Sequence, residues 1–83
     1  MLELYQFEQC SYCAKVRTKL TELELDYICR NIPKGSKKRE HFLKFAPKMQ
    51  VPYLVDVDKG VAMYESDDII DYLEKEYGGG GGQ

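Results

Sequence analysis

The chain has no tryptophan, a single histidine, three prolines and three cysteines. Three cysteines are too few, and odd in number, for the disulfide scaffold that staples small secreted domains. Long apolar runs are missing as well. The longest, Val51 to Val55 and Val61 to Tyr64, fall far short of the ~20 residues that a membrane helix needs, so no membrane partner is expected. There is no excess of positive charge: the formal net charge is −2. With no basic–aromatic repeat either, nucleic acid is not expected as a partner. Met1-Leu2-Glu3-Leu4 offers neither a basic start nor a small-residue cleavage site. No secretory signal is read there, and a cytoplasmic location is the expectation.

What is present is globular in composition: 83 residues, 43% hydrophobic and 31% charged. That length allows one small domain, expected over residues 1–77, with residues 78–83, five glycines and a glutamine, as a flexible Gly-rich tail. Such a chain buries only about 60% of the surface that it exposes unfolded, so its margin is thin. The charge is polarised. Seven basic residues against one acid lie between Arg30 and Lys48, and eight acids against two lysines lie between Asp56 and Glu76. These are either two solvated faces of opposite sign, or a basic segment flanking a site for an anionic ligand.

Leu2 to Phe7 is strand-like with apolar residues on both faces, as inside a covered sheet. From Ser11 to Glu24 the period becomes helical, with Cys13, Val16, Leu20 and Leu23 in one stripe, and Ser11 lies where serine caps well. Asp26 to Asn31 reads as a second strand, which makes a βαβ unit with a right-handed crossover. Ser36 is expected to cap a helix reaching Ala46, with Phe42, Leu43, Phe45 and Ala46 as its apolar side. Pro52 to Asp56 and Val61 to Tyr64 flank the turn Asp58-Lys59-Gly60 as a β-hairpin. A last helix starts at Ser66, with Asp67 and Asp68 at its positive end and Ile69, Ile70, Leu73 and Tyr77 as its core stripe. Gly78 is expected to stop it.

The chemistry concentrates in Cys10-Ser11-Tyr12-Cys13. Cys10 follows a strand and directly precedes a helix, where unpaired N–H groups and the helix dipole favour a thiolate over a thiol. Cys13 lies one turn on, within disulfide reach, and begins the buried stripe. An exposed thiol with a sheltered neighbour is the arrangement that thiol–disulfide exchange uses, an attacker and a resolver. The alternatives are chance spacing, or half of a zinc site. Zinc usually takes a second ligand pair, whereas Cys29 is followed by Arg30-Asn31-Ile32, and His41 lies in a charged part of a helix. No metal ligand is therefore assigned.

Three further features bear on the site. Val51-Pro52 opens a strand, where proline is tolerated at a start or an edge; the peptide bond is either cis, leaving the Val51 backbone to pair with an extended ligand, or an ordinary trans turn. Glu65-Ser66-Asp67-Asp68 opens the last helix, whose free N–H groups either hold a carboxylate or are simply capped. Tyr12 is a wall of the site or a surface aromatic. Cys29 is expected to be a buried structural thiol.

In these residues the chain resembles the glutaredoxin branch of the thioredoxin superfamily and the N-terminal domains of glutathione S-transferases, over essentially all of residues 2–77. Cys10-Ser11-Tyr12-Cys13 is similar to the glutaredoxin CPYC motif with serine for proline. Val51-Pro52 resembles the cis-proline segment, and Tyr64 to Ile70 resembles the Glu-Ser motif of the transferase domains. The resemblance implies an α/β thioredoxin-like fold, βαβ-α-ββ-α, with a four-stranded mixed sheet flanked by three helices. It implies Cys10 as nucleophile and Cys13 as resolving thiol. It further implies a glutathione site of Tyr12, Val51, Pro52, Glu65, Ser66 and Asp67, in which Val51 pairs with the cysteinyl backbone and Glu65, Ser66 and Asp67 hold the γ-glutamyl end. Lys38 and Arg39 are candidates for the glycyl carboxylate.

Two departures stand out. Glu8 and Gln9 occupy the place where many glutaredoxins carry a basic residue, and a carboxylate there opposes thiolate formation. The chain also ends in polyglycine where transferase-like members usually continue into a helical domain. The activity implied is glutathione-dependent thiol–disulfide oxidoreduction acting on disulfide or glutathionylated proteins. Glutathione would be co-substrate, with no tightly bound cofactor, and a monomer is expected. The competing functions are a glutathione-binding, transferase-like module without redox turnover, and a glutaredoxin holding a [2Fe–2S] cluster between two subunits.

Overall fold

Alternation of apolar residues in short runs builds a four-stranded sheet, and the computed structural model describes residues 1–78 of it and its helices. The strands are β1 (Leu2–Gln6), β2 (Tyr27–Asn31), β3 (Tyr53–Asp56) and β4 (Val61–Tyr64). Their order is β2-β1-β3-β4, with β1 and β2 parallel and the other two pairings antiparallel. Three helices, α1 (Ser11–Glu22), α2 (Lys37–Leu43) and α3 (Ser66–Leu73), complete the thioredoxin-like arrangement, and a π-helical turn, Glu74–Gly78, follows α3.

Each face of the sheet has its own core, because side chains alternate along β1 and β3. Leu2, Leu4 and Leu54 meet Val16 and Leu20 of α1 and Ile69 and Leu73 of α3, all buried. On the other face Tyr5 and Tyr53 meet Phe42 of α2, with Ile32 and Ala46 beside them. No described helix is long and apolar enough to cross a membrane.

Several boundaries differ from expectation for local reasons. The N-cap of α1 is Cys10 and not Ser11. The helix closes at Glu22 because Glu24 turns left-handed at φ 54. Leu25 N–H then bonds to Leu20 C=O at 2.9 Å and Glu24 N–H to Thr21 C=O at 3.0 Å, which is a Schellman closure built without glycine. The second helix ends at Leu43 instead of Ala46. Lys44 and Phe45 donate to His41 and Phe42, three residues back, at 3.0 and 3.2 Å, and Pro47 beyond them cannot donate. Leu43 and Phe45 consequently lie 51% and 57% exposed, outside the core that they were expected to join. Ser36 sits at the N-cap of α2 but its side chain caps nothing, and its buried hydroxyl has no partner. Gly78, expected as a stop signal, is the last residue of the π-helical turn. The rest of the tail, residues 79–83, lies outside the described residues.

Cys29 is exposed, contrary to the expected buried thiol. It pairs with fully buried Leu4 on β1, but β2 is the outer strand and its side chains from Ile28 to Asn31 are open to solvent. Its sulfur accepts from Gln6 Nε2 at 3.2 Å and donates to Asn31 Oδ1 at 3.4 Å.

Candidate functional site

The site forms where three chain segments end their regular structure. The first is the N-terminus of α1. Cys10 holds an extended backbone (φ −75, ψ 114), and its sulfur accepts the Cys13 N–H at 3.2 Å. A side-chain acceptor at that position satisfies one of the helix's free amides, and a thiolate accepts such a bond better than a thiol does. Cys13 itself is fully buried. Burial pushes its thiol up to about 12, and its hydrogen bond with Cys10 adds to the rise. The pair thus comprises a half-exposed sulfur in front of a helix and a protonated one beneath it.

The second segment is the loop into β3. The Val51–Pro52 peptide bond is cis. Val51 lies ahead of the β3 ladder, which begins at Tyr53. The loop is clamped to β4 through Tyr64, whose hydroxyl donates to Lys48 C=O at 2.7 Å and accepts the Lys48 N–H at 3.0 Å.

The third segment is the β4–α3 junction. Glu65, not Ser66, is the N-cap of α3, and its side chain makes no capping bond. Its backbone stands at φ 73, ψ 114, a region that non-glycine residues adopt only at a cost of about 1–3 kcal/mol. Glu65 C=O accepts the Ile69 N–H at 2.9 Å, and Glu65 Oε2 accepts Gln50 Nε2 at 2.9 Å. Ser66, the first residue of α3, is buried. Ordinary side-chain capping at this helix start is therefore not what the structure contains. The α3 dipole faces the concavity without a capping oxygen of its own.

These segments enclose a cleft of about 480 Å³ lined by Tyr12, Gln50, Val51, Pro52, Glu65, Ser66 and Asp67. Six of them were singled out in sequence; Gln50 was not. A loop amide belongs to no motif, and its only signal was its place directly before Val51-Pro52. Tyr12 is 62% exposed and forms the outer wall on the α1 side. Lys15 was also missed. Its ammonium pairs with Asp67 at 3.0 Å, joining α1 to the start of α3 across the cleft. Cys10 stands two residues before Tyr12 and is not itself in the wall. Lys38 and Arg39 are not in the wall either. Arg39 Nε donates to Ile32 C=O at 2.8 Å and its guanidinium covers the Phe7 ring, while Lys38 lines a different pocket. Among the described residues no group of three or more His, Cys, Asp or Glu side chains comes together to hold a metal ion.

The cleft can take an extended, polar, peptide-like ligand. It has helix-terminal amides for a carboxylate at one end, carboxylates of Glu65 and Asp67 for an ammonium, and the main chain of Val51 along its length.

Comparison with known proteins places the chain among relatives of one family. The pattern of the glutathione S-transferase N-terminal domain matches residues 4–81. A glutathione S-transferase of Hypomyces subiculosus is 42% identical over 69 residues, which cover 81% of this chain and 32% of that protein. Glutathione S-transferase Z2 of Arabidopsis thaliana is 38% identical over 78 residues, 92% of this chain and 34% of that one. The chain thus spans about a third of the length of these relatives. In solved structures, a glutathione transferase homologue of a Drosophila species, with bound glutathione, superposes at a TM-score of 0.83 and 29% identity, over 94% of this chain and 36% of that one.

Proposed function

Because the chain belongs to the glutathione S-transferase N-terminal domain family, we propose that its cleft binds glutathione and that Cys10 exchanges thiols with the bound tripeptide. The observation that carries this reading is the convergence of Tyr12, Val51, Pro52, Glu65, Ser66 and Asp67, far apart in sequence, on one cleft. In this reading the γ-glutamyl carboxylate meets the uncapped start of α3 and the Ser66 hydroxyl, and its ammonium meets Glu65. Asp67 already has Lys15 as a partner. The Val51 main chain pairs with the cysteinyl residue. Gln50 donates to Glu65 at 2.9 Å and so stands at the γ-glutamyl end, and Lys38 and Arg39 lie outside the wall, so no side chain is assigned to the glycyl carboxylate.

The exchange runs in two displacements. The Cys10 thiolate attacks the glutathione sulfur of a protein–glutathione mixed disulfide; the Cys10–glutathione disulfide forms as the sulfur–sulfur bond of the mixed disulfide breaks, and the protein thiolate leaves and takes a proton from water. A second glutathione thiolate then attacks the glutathione sulfur on Cys10, releasing oxidised glutathione and regenerating the Cys10 thiolate. Cys13 is not needed in either step. Held as a thiol by burial, it is a slow resolver at neutral pH, so the one-cysteine route is favoured over the two-cysteine route.

The test is glutathione-coupled reduction of a mixed disulfide by three proteins. Cys10→Ser abolishes turnover, and Cys13→Ser keeps most of it. Loss of activity in both folded variants would move the protein to a two-cysteine reductase. Full activity in Cys10→Ser would remove Cys10 from the chemistry.

A second reading has its own support. The relatives are named as S-transferases, and Cys10 lies outside the cleft wall. In that case the domain binds glutathione for transfer to an electrophile, without redox turnover. Saturable glutathione binding that survives Cys10→Ser, together with no mixed-disulfide reduction by the wild type, is its signature.

A further inference from the structure

A second concavity, of about 190 Å³, opens on the α2 face of the sheet, away from the α1 and α3 side. Its floor is aromatic. Tyr5 projects there because side chains alternate on β1, and its ring lies 5.1 Å from Phe42 and 5.6 Å from Phe45, which are 5.4 Å from each other. Phe42 is buried, while Phe45 stands 57% exposed at the mouth. The rim carries two cations, Arg30 and Lys38, with the imidazole of His41 beside them.

Arg30 uses Nε on Glu3 at 3.2 Å, which leaves its terminal nitrogens free of that bond. Among the described residues Lys38 has no carboxylate within ion-pairing distance. Exposed ring surface beside the Lys38 ammonium and the terminal nitrogens of Arg30 favours a ligand that covers the one and pairs with the other. The volume lies below the ~300–1,000 Å³ of sites that enclose a drug-sized molecule, so one ring fills it.

We propose that this pocket binds a single-ring aromatic carboxylate. The ring rests on Tyr5, Phe42 and Phe45, and the carboxylate meets Arg30 and Lys38. The site does not depend on the glutathione reading.

Amide chemical shifts of the whole chain, recorded during titration with phenylacetate, phenylacetamide and acetate, test it. Phenylacetate is expected to give saturable shifts at Tyr5, Arg30, Lys38 and Phe45, and the other two only weak ones. Lys38→Glu is expected to weaken binding about tenfold, as loss of a charged hydrogen-bond partner does. Lys38→Met, which keeps the stem, has the same effect. Phe45→Ala weakens it about fivefold through the lost ring contact. Both positions are exposed, so shifts elsewhere report an intact fold. Any of four results would overturn the proposal: no saturation by phenylacetate, an equal response to the uncharged amide or to acetate, shifts centred on the cleft around Tyr12 and Glu65, or unchanged affinity in all three variants. Dilution without ligand that moves the same amides would assign the pocket to a second copy of the chain instead.

Discussion

Ser66 shows how position within a motif alters the role of a residue. Read as a helix cap, its replacement would cost ~1 kcal/mol of stability. It is instead the first residue of α3, and the cap position belongs to Glu65, whose side chain caps nothing. Ser66→Ala should therefore change stability by less than a cap replacement, while weakening glutathione saturation severalfold through the lost hydroxyl. Calorimetric binding and thermal unfolding of the same variant separate the two effects. Unchanged saturation would leave the γ-glutamyl end to backbone amides alone. At this scale most of the cleft wall was legible, because Val51-Pro52 and Glu65-Ser66-Asp67 are dense local signals. The Lys15–Asp67 pair was not, since nothing near Lys15 points to α3. Cys29 was misread because a strand's own residues do not tell whether it lies at the sheet's edge.

Elements end where backbone chemistry stops them, and the end of α1 carries a measurable strain. Glu24 holds φ 54 with a full side chain, where a β-carbon costs about 1–2 kcal/mol. Glycine at that position keeps both closing bonds and relieves the clash, less its larger entropy loss on folding. Glu24→Gly should raise stability by about 1 kcal/mol in denaturant titration, and a destabilised variant would contradict the left-handed closure. The link between β3, α3 and the π-helical turn is electrostatic. Asp56, fully buried on β3, accepts the hydroxyls of Tyr72 at 2.7 Å and of Tyr77, with the Lys59 amide at 3.4 Å. Burial opposes its charge, but the Tyr77 and Tyr72 hydroxyls, the Lys59 N–H and the Lys59 ammonium together outweigh it and hold the carboxyl below its ordinary range. Its contribution is thus complete above the unfolded value of about 3.9 and lost as pH falls through the lower folded value. Tyr77 behaves oppositely. Its hydrogen bond to Asp56, reinforced by burial, pushes its hydroxyl up to about 12. That stabilisation is complete below the unfolded value of about 10 and lost as pH rises from there through the folded one. Stability against pH should then fall on both limbs, and Asp56→Asn should flatten both while lowering the plateau by about 2 kcal/mol, the scale of a charged hydrogen bond. Unaltered limbs would place the titrating groups elsewhere. Sequence could not reveal this cluster, whose members come from three elements.

Across the whole molecule the sheet separates two cores of unequal strength. The α1 and α3 helices pack on each other as well as on β1 and β3, so each is braced twice. The α2 helix rests on the opposite face chiefly through Phe42, with Ala46 and Ile32 adjoining, and its seven residues are too short to be stable alone. Of the opposed charges visible in the sequence, Lys37, Lys38 and Arg39 lie in α2, and Asp67, Asp68 and Asp71 lie in α3. The inequality of the cores was not visible, since Phe42, Leu43, Phe45 and Ala46 looked like one continuous apolar side. With only one large side chain anchoring it, α2 should open while the rest of the fold stays closed. Native-state hydrogen exchange tests this directly. In the wild type the α2 amides should exchange through a smaller opening free energy than those of β1, β3, α1 and α3. Phe42→Ala removes about 3 kcal/mol of packing or more. If α2 is a separate unit, that loss speeds exchange in α2 by about a hundredfold or more and leaves the α1 and α3 amides far less affected. Leu73→Ala, in the doubly braced core, should instead lower protection throughout the chain. The same uniform loss in both variants would mean that the two faces fold as one unit, with α2 as firmly part of the structure as the helices across the sheet.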